Sequence, residues 1–236
     1  MGGPTRGGDG HQIAVGGRAH GVMIQRPLAF IALAAPAVLA LSAPARAEPS
    51  DFALRLAAAA EARASHRVVY DAAYVSIDYP WGDVAPDRGV CADVVIRAYR
   101  ALGVDLQTRV HEDMTAAFDA YPTTWELTRP DPNIDHRRVL NLETFFIRHG
   151  ERLVASDDPT DYKPGDIVAW NLRGDAGFLP HMGVVVDRIA PSGRPMIVHN
   201  IGAGPRVEDV LFDWPMTGRY RYAVAAGEEE RPTAED

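Results

Sequence analysis

The stretch GVCADVVIRAYRALG, residues 89–103, predicts the element around which the fold is built. Its apolar side chains recur at i, i+4 and i+7, namely at Val95, Tyr99 and Leu102. That spacing places them on one face of an α-helix, and Gly103 is a residue type that commonly ends a helix. The stretch therefore predicts a helix with one buried face, and this helix begins at Cys91.

Three more helices and four strands are predicted around this one. Residues 52–67 are alanine-rich and consist of good helix formers. Helices are also predicted over 110–121 and 142–149, the second with Asn141 as its N-cap and Gly150 as its stop. Runs of β-branched and aromatic residues between turn residues predict strands over 166–172, 181–189, 195–201 and 218–224. Helices first and an antiparallel series of strands second indicate an α+β fold, with the helices packed on the sheet.

The segment from Met23 to Ala47, MIQRPLAFIALAAPAVLALSAPARA, has the layout of a secretory signal. Arg26 precedes an apolar run over 28–41, and Ala-Arg-Ala at 45–47 is a small-x-small cleavage site. The apolar run, about 14 residues, is shorter than the roughly 20 residues needed to span a bilayer. We therefore expect cleavage near Ala47, no stable membrane span afterwards, and a periplasmic or secreted protein.

This prediction sets the domain organisation. Residues 1–47 form a leader and signal peptide, with translation expected to start at Met23. Residues 48–226 fit one domain. Residues 227–236, GEEERPTAED, form a polar, acidic tail. We expect the mature chain to be a monomer.

Composition excludes several classes of function. The 236 residues include 24 Lys+Arg against 32 Asp+Glu, a formal net charge of −8, and one cysteine. An acidic balance without a clustered basic face argues against a nucleic-acid partner. One cysteine excludes an internal disulfide and a Cys-rich zinc or iron–sulfur site, and no cofactor is expected. Because thiols in oxidising compartments are normally paired or absent, the thiol of Cys91 needs an explanation.

Two histidines are candidates to act on this thiol. The runs HMGVVVD from His181 and IVHNI around His199 flank the turn Ala-Pro-Ser-Gly-Arg at 190–194. A hairpin centred near Ala190 gives paired residues an index sum close to 380, which places His181 opposite His199. Directly opposed side chains lie close enough for one ring to hydrogen-bond the other. A thiol at a helix start and a base with its own orienting partner form a Cys–His–polar arrangement.

Each of these residues also has a purely structural interpretation. A lone cysteine is most often a small buried hydrophobe. Two histidines on adjacent strands are more often core residues with satisfied hydrogen bonds. The combination of an exported chain, one thiol at a helix start and a paired-histidine hairpin favours the catalytic interpretation.

The same residues carry a resemblance to a known family. The order Tyr79, GVCADVV at 89–95, PGDIVAW at 164–170, HMGVVVD at 181–187 and IVHNI at 197–201 resembles the NlpC/P60 branch of the papain-like cysteine peptidases and amidases. The longer blocks RGVCADVVIRAYRALGVDLQ, VHEDM, PDPNIDHRR, PHMGVVVD and VHNIGAGP resemble a bacterial envelope family, domain of unknown function 1287, itself similar to that superfamily. The resemblance covers residues 52–224 and implies a papain-like fold with the nucleophile at a helix N-terminus.

The resemblance also implies roles for individual residues. Cys91 would be the nucleophile, His181 the general base and His199 the residue that orients the base. Tyr79 matches a tyrosine beside the active site and is a candidate for one half of an oxyanion hole, whose other half would be the backbone N–H of Cys91. The further substrate-binding or oxyanion candidates are Asp93 and Asn200. The sequence departs from the superfamily at Val90, where an Asp is usual, and at 92–93, where Ser-Gly is usual.

One polar cluster has two interpretations. Asp131, Asn133, Asp135 and His136 could be metal ligands, or the run could be a turn whose Asx side chains cap their own backbone. We favour the turn, and expect no metal, with Arg137 and Arg138 facing an acidic substrate.

These observations predict a secreted cysteine hydrolase. It would cleave an amide bond in cell-wall peptides, with peptidoglycan peptide as its partner, through a Cys-His-His triad and a thioester intermediate. The alternatives are a non-catalytic module that binds cell wall or a partner on the same scaffold, and a metal site built from Cys91, His181 and His199.

Overall fold

A computed structural model describes residues 49–225 and the isolated positions 2, 14, 16, 17 and 21. The predicted signal at 23–47, the start at Met23 and the tail at 227–236 lie outside the described residues. By internal contacts the chain divides into Met1–Pro44 and Ala45–Asp236. All of the structure described below belongs to the second unit.

Four α-helices precede most of the strands. They are α1 (Asp51–Ala62), α2 (Cys91–Ala101), α3 (Leu106–Ala116) and α4 (Val139–His149). Short 3₁₀ turns lie at Arg63–Ser65, Phe118–Ala120, Asp135–Arg137, Pro159–Asp161 and Gly174–Ala176. Helix α1 begins where the side chain of Ser50 accepts a hydrogen bond from the backbone N–H of Ala53, at 3.2 Å. Helix α2 begins at Cys91, as predicted.

The strands form two sheets. Strands β1 (Val69–Tyr70) and β2 (Arg88–Gly89) make a short parallel pair just before α2. The remaining strands are β3 (Glu151–Arg152), β4 (Ile167–Asn171), β5 (Pro180–Ile189), β6 (Pro195–Asn200), β7 (Pro205–Glu208) and β8 (Met216–Arg221). They form one antiparallel sheet in the order β3-β8-β4-β5-β6-β7. Helices packed on an antiparallel sheet confirm the predicted α+β class.

The large sheet is buried on both faces. Its helix face packs into the main core, formed with α1, α2, α3 and α4, and consists of Ile167, Ala169, Met182, Val184, Val186 and Val198. Its outer face consists of Val168, Trp170, Val185 and Ile197, covered by Tyr162 and Leu211. The two sets alternate along each strand, as the period of two requires. Because both faces are buried, the strands read as continuous apolar runs.

Two predicted helix starts are wrong. Helix α3 begins at Leu106 rather than at residue 110, because the side chain of Asp105 caps it by accepting from the backbone N–H of Gln107, at 3.1 Å. Helix α4 begins at Val139. Asn141 lies inside its first turn, is fully buried, and donates to the backbone oxygen of Asp135 at 3.1 Å, so it is not the N-cap.

Strands β3 and β7 were not predicted from the sequence, and both are edge strands of four residues or fewer. In the part of the chain that the structure describes, none of the helices has the length and apolar character needed to cross a membrane.

Candidate functional site

Cys91 occupies the first position of α2 and is almost completely buried, with 4% of its surface exposed. Val90 before it is extended, and the backbone N–H of Val90 donates to the Asp93 carboxylate at 2.6 Å. Burial raises the pKa of the Cys91 thiol to about 11, against hydrogen bonds from the backbone N–H groups of Met182, Ala92 and Cys91 itself, which lower it. At neutral pH Cys91 is therefore a protonated thiol, and its sulfur accepts a hydrogen bond from the backbone N–H of Met182 on β5.

The two histidine rings contact each other where β5 begins and β6 ends. Nε2 of His181 and Nδ1 of His199 are 2.8 Å apart, and both side chains are buried. The predicted register is wrong, because Gly183 lies opposite His199 and His181 lies opposite Trp170 of β4. The pair survives because the slip is two residues, which leaves His181 on the same face as its predicted position. The rings therefore meet on the diagonal, a geometry within reach of long side chains.

Gly183 is what allows the strands to come together at this point. A Cβ there would lie 2.7 Å from Cγ2 of Ile197, 2.8 Å from the backbone oxygen of Val198 and 3.1 Å from Cβ of His199. The first two separations are shorter than any real contact, so only a glycine fits. The motif His-x-Gly thus positions His181 and makes room for His199 beside it.

Glu208 extends the histidine pair and was not predicted from the sequence. Its Oε2 is 2.9 Å from Nε2 of His199, and its side chain is 37% exposed. It lies on β7, whose pairing with β6 has a constant index sum across the turn at 202–204. This register puts Arg206 directly opposite His199, and Glu208, two residues further on, reaches the His199 ring on the diagonal.

The histidines are held neutral. Burial, with a smaller contribution from the neighbouring His199, lowers the pKa of His181 to about 3. Burial also lowers the pKa of His199, while Glu208 acts in the opposite direction. Two indoles enclose the pair: Trp170 stacks on His181 at 5.9 Å between ring centroids, and Trp214 lies 6.1 Å from His181 and 6.0 Å from His199.

Cys91 and His181 both lie near the start of β5, but on opposite faces of the large sheet. Cys91 belongs to the core on the helix face, whereas His181 and His199 belong to the outer face. Among residues 49–225, no hydrogen bond joins the Cys91 sulfur to the His181 ring; the link is the backbone N–H of Met182. Because catalytic hydrogen bonds are often long before substrate binds, His181 stays a candidate base without this contact.

Asp93 does not face a substrate, contrary to the prediction. Both of its oxygens bind the guanidinium of Arg137, through Nε and Nη2 at 2.9 Å each, and Oδ2 also accepts from Val90. The two side chains are 4% and 2% exposed. Arg137 is likewise not available to an acidic substrate. This buried pair instead fixes the N-terminus of α2, and so the position of Cys91.

Asn200 is placed differently from the expectation, whereas the role expected of Tyr79 stays a prediction. Asn200 is fully buried, accepts from the backbone N–H of Gly202 at 3.1 Å, and its amide nitrogen lies 3.4 Å from the backbone oxygen of Gly89, so it ties β6 to the segment before Cys91. Tyr79 packs edge-on against His111, with ring centroids 5.1 Å apart.

Tyr70 is a tyrosine near the thiol. Burial, with smaller contributions from Cys91 and Asp93, raises the pKa of Tyr70 to about 12. Its position on β1, paired with Gly89 of β2, brings it there. Tyr70 was not predicted from the sequence, because no periodicity marks the two-residue strand β1.

The predicted turn at 131–136 matches the geometry. Oδ1 of Asp131 accepts from the backbone N–H of Asn133 at 2.9 Å, and Asp135 Oδ2 accepts from the backbone N–H of Asp131. Among the described residues, no group of three or more His, Cys, Asp or Glu side chains could hold a metal ion. In the alternative metal site of Cys91, His181 and His199, two of the ring nitrogens are already engaged, because Nε2 of His181 and Nδ1 of His199 contact each other.

An open cavity of about 330 Å³ lies beside the N-terminus of α2. Its walls are Ala72, Tyr74, Val90, Trp125, Ile134, Arg137 and Arg138. The guanidinium of Arg138 stacks over Trp125 at 4.3 Å and pairs with Asp135 at 2.8 Å. Because Val90 is the residue before Cys91, a molecule in this cavity contacts the chain one residue from the thiol.

Comparison with known proteins supplies the family. The chain is 55% identical over 171 residues to "Uncharacterized protein YijF" of Escherichia coli (strain K12), and the match covers 72% of this chain and 82% of that protein. Among solved structures, NlpC2 from Trichomonas vaginalis is similar with a TM-score of 0.40 and 16% identity; the match covers 75% of this chain and 49% of that chain, about half its length. The family described as "Domain of unknown function (DUF1287)" matches residues 57–222. The chain therefore belongs to the DUF1287 family.

Proposed function

We propose that this protein is a cysteine hydrolase that cleaves an amide bond in cell-wall peptides. The observation that carries the proposal is the 2.8 Å contact between Nε2 of His181 and Nδ1 of His199. It lies at the start of β5, where the backbone N–H of Met182 donates to the Cys91 sulfur. That contact leaves Nδ1 of His181 as the ring nitrogen that can take a proton. A nucleophile, a base and a group that orients the base are the parts that acyl transfer requires.

The proposed reaction begins from a thiol and a neutral imidazole, because the pKa of Cys91 is raised to about 11 and that of His181 is lowered to about 3. Nδ1 of His181 takes the thiol proton as the sulfur bonds to the amide carbon. The imidazolium then protonates the leaving amine, and a thioester remains. Water, deprotonated by His181, attacks the thioester, releasing a carboxylic acid and restoring the thiol. The backbone N–H of Cys91 at the start of α2 would stabilise the oxyanion.

Two features support a cell-wall peptide as the substrate. The segment 23–47 predicts export to the compartment in which peptidoglycan lies. The cavity beside Val90 is lined by Tyr74, Trp125 and Ile134, so it offers apolar and aromatic surface to the part of a peptide that lies next to the scissile bond.

A second candidate function is a module that binds cell-wall fragments without cleaving them. It is favoured by the burial and raised pKa of Cys91 and by the lack of a hydrogen bond between its sulfur and His181 among the described residues. The hydrolase requires the His181 ring or the thiol to shift as substrate binds, whereas the binding module requires no such movement.

The test is digestion of isolated peptidoglycan sacculi by the protein, with mass spectrometry of the released peptides. We expect the wild-type protein to release peptides with new amino and carboxyl ends, and Cys91→Ser and His181→Ala to release none. Circular dichroism of both variants checks that they fold. Sacculi that stay intact but sediment with the wild-type protein would establish the binding module in place of the hydrolase.

A second measurement follows the thiol itself. Iodoacetamide alkylation of Cys91 as a function of pH, with and without peptide fragments of the sacculi, reports its ionisation. If the protein is a hydrolase, Cys91 without a bound acyl group should be alkylated faster in the wild type than in His181→Ala. An alkylation profile with an ordinary midpoint near 8.5 that is unchanged by His181→Ala contradicts a role for His181 as the base.

A further inference from the structure

We propose that Glu208 is a positioning residue of this site: it fixes which nitrogen of each histidine carries the proton, and so makes Nδ1 of His181 the base. The inference rests on the proposed hydrolase function, which contains no role for Glu208. It is carried by two distances in series, 2.9 Å from Glu208 Oε2 to Nε2 of His199 and 2.8 Å from Nδ1 of His199 to Nε2 of His181.

The protonation of both rings follows from the outer end inward. A carboxylate only accepts hydrogen bonds, so Nε2 of His199 must be the donor. In a neutral imidazole the other nitrogen is then an acceptor, so Nδ1 of His199 carries the lone pair. It accepts from Nε2–H of His181, which leaves the lone pair of His181 on Nδ1. Without the carboxylate, either ring can exchange its tautomer, and the opposite arrangement puts the proton of His181 on Nδ1, where it cannot act as a base.

Among the described residues around the two rings, Glu208 is the group that favours one arrangement of tautomers over the other. The influences on the pKa values of the two rings are burial of both, His199 on His181, and Glu208 on His199. Arg206 lies opposite His199 on β7 and is exposed. Trp170 and Trp214 contact the pair through ring faces and edges only. Among the described residues, Glu208 is thus the acceptor that holds the outer nitrogen.

A structural role for Glu208 would give a different result from a positioning role. Its side chain is 37% exposed, and ion pairs at such positions contribute little to stability. Its removal should therefore leave the thermal midpoint of unfolding nearly unchanged. For metal-bound histidines, loss of the residue that holds the second ring nitrogen typically costs about 10- to 100-fold in activity, and we expect a loss of that order here.

The first test is independent of activity. Nitrogen-15 NMR of histidine-labelled protein at neutral pH reports which ring nitrogen is protonated. We expect both rings of the wild type to be protonated on Nε2, and Glu208→Ala to show a population protonated on Nδ1. Glu208→Gln keeps an acceptor oxygen and should retain the wild-type tautomers in part. Arg206→Ala, the matched control on the same strand, should leave the spectrum unchanged. Wild-type tautomers retained in Glu208→Ala would overturn the proposal.

The second test is kinetic. On a peptide released from sacculi, Glu208→Ala should lower kcat by about 10- to 100-fold with little change in KM, and Glu208→Gln should restore part of it. An unchanged kcat in an active wild-type background contradicts the positioning role. A wild-type protein with no hydrolysis contradicts the proposed function instead, while the NMR result still decides whether Glu208 sets the tautomers.

Discussion

His181 and His199 are joined by a 2.8 Å contact between ring nitrogens, although the residue opposite His199 is Gly183. The diagonal geometry depends on the missing side chain at Gly183, because a Cβ there would meet the backbone oxygen of Val198 at 2.8 Å. Gly183 therefore sets both the separation of β5 and β6 and the pairing of the two histidine rings.

Gly183→Ala is expected to part β5 and β6 locally and to break the contact between His181 and His199. Overpacking of this kind costs about 1 to 3 kcal/mol of unfolding free energy. Urea denaturation measures the loss, and nitrogen-15 NMR of the histidines reports the broken pair.

The control for this variant is Gly193→Asn in the turn between β5 and β6. Gly193 has φ +84°, a Cβ added there would meet no atom within 4 Å, and Asn tolerates that backbone conformation. A Gly193→Asn variant should keep the histidine pair. Equal losses in the two variants would show that the hairpin is sensitive to any substitution.

Asp93 and Arg137 are expected to be strongly coupled. Asp93→Asn leaves a buried guanidinium without its countercharge, and Arg137→Met leaves the carboxylate unpaired; breaking one side of a buried pair costs about 3 to 5 kcal/mol. The double variant Asp93→Asn/Arg137→Met should lose much less than the sum of the two. Urea denaturation of the four proteins gives the coupling energy, and additive losses would contradict it.

Stability is expected to fall as the pH is lowered, in part through His136. This side chain is 2% exposed, its Nδ1 has no hydrogen-bond partner among the described residues, and burial lowers its pKa to about 3. The unfolded chain binds a proton near the ordinary histidine pKa of about 6.5, whereas the folded chain does not until about pH 3. Between these values the unfolded state binds more protons, so stability is lost as the pH falls.

The size of this effect is measurable. Between neutral pH and about pH 4.5, one such histidine accounts for about 2 to 3 kcal/mol of lost stability. His136→Gln, which cannot take up the proton, should show a smaller drop in the thermal midpoint over the same range. An equal drop in the variant and the wild type would place the pH dependence elsewhere.

Trp125→Ala is expected to weaken substrate binding more than the chemical step. Trp125 forms one wall of the cavity beside Val90, and none of the ring contacts described for His181 and His199 involves it, so we expect its contacts with substrate to be the same in the ground state and the transition state. We expect KM to rise about tenfold with kcat nearly unchanged. Val154→Ala, at a position that is 84% exposed, is the control. A loss confined to kcat would contradict this assignment.

The sequence was most informative where one local rule decides the outcome. The apolar spacing of Val95, Tyr99 and Leu102 predicts α2 with Cys91 at its start, and the structure has it there. The hairpin argument brings His181 and His199 together even with its register wrong, because a slip of two keeps the face. Glu208 was not predicted, because it lies diagonally from His199 while Arg206 is the residue directly opposite.

Where several elements compete for one side chain, the sequence was misleading. Asp93 was a candidate for substrate contact by its position after the cysteine, but Arg137, forty-four positions away, takes both of its oxygens. Asn141 has the chemistry of an N-cap, yet helix α4 begins before it and buries it against Asp135. Tyr70 was not a candidate from the sequence, and its place near Cys91 comes from the pairing of β1 with β2.

By itself the sequence determined the fold class, the family, the helix that begins at Cys91 and the face shared by the two histidines, because these follow from periodicities of 3.6 and 2 and from motifs within short segments. Only the tertiary structure decided that Cys91 is buried as a thiol, that Asp93 is paired with Arg137, and that Glu208 ends the histidine series. These properties depend on burial and on partners from distant segments, and no local pattern encodes either.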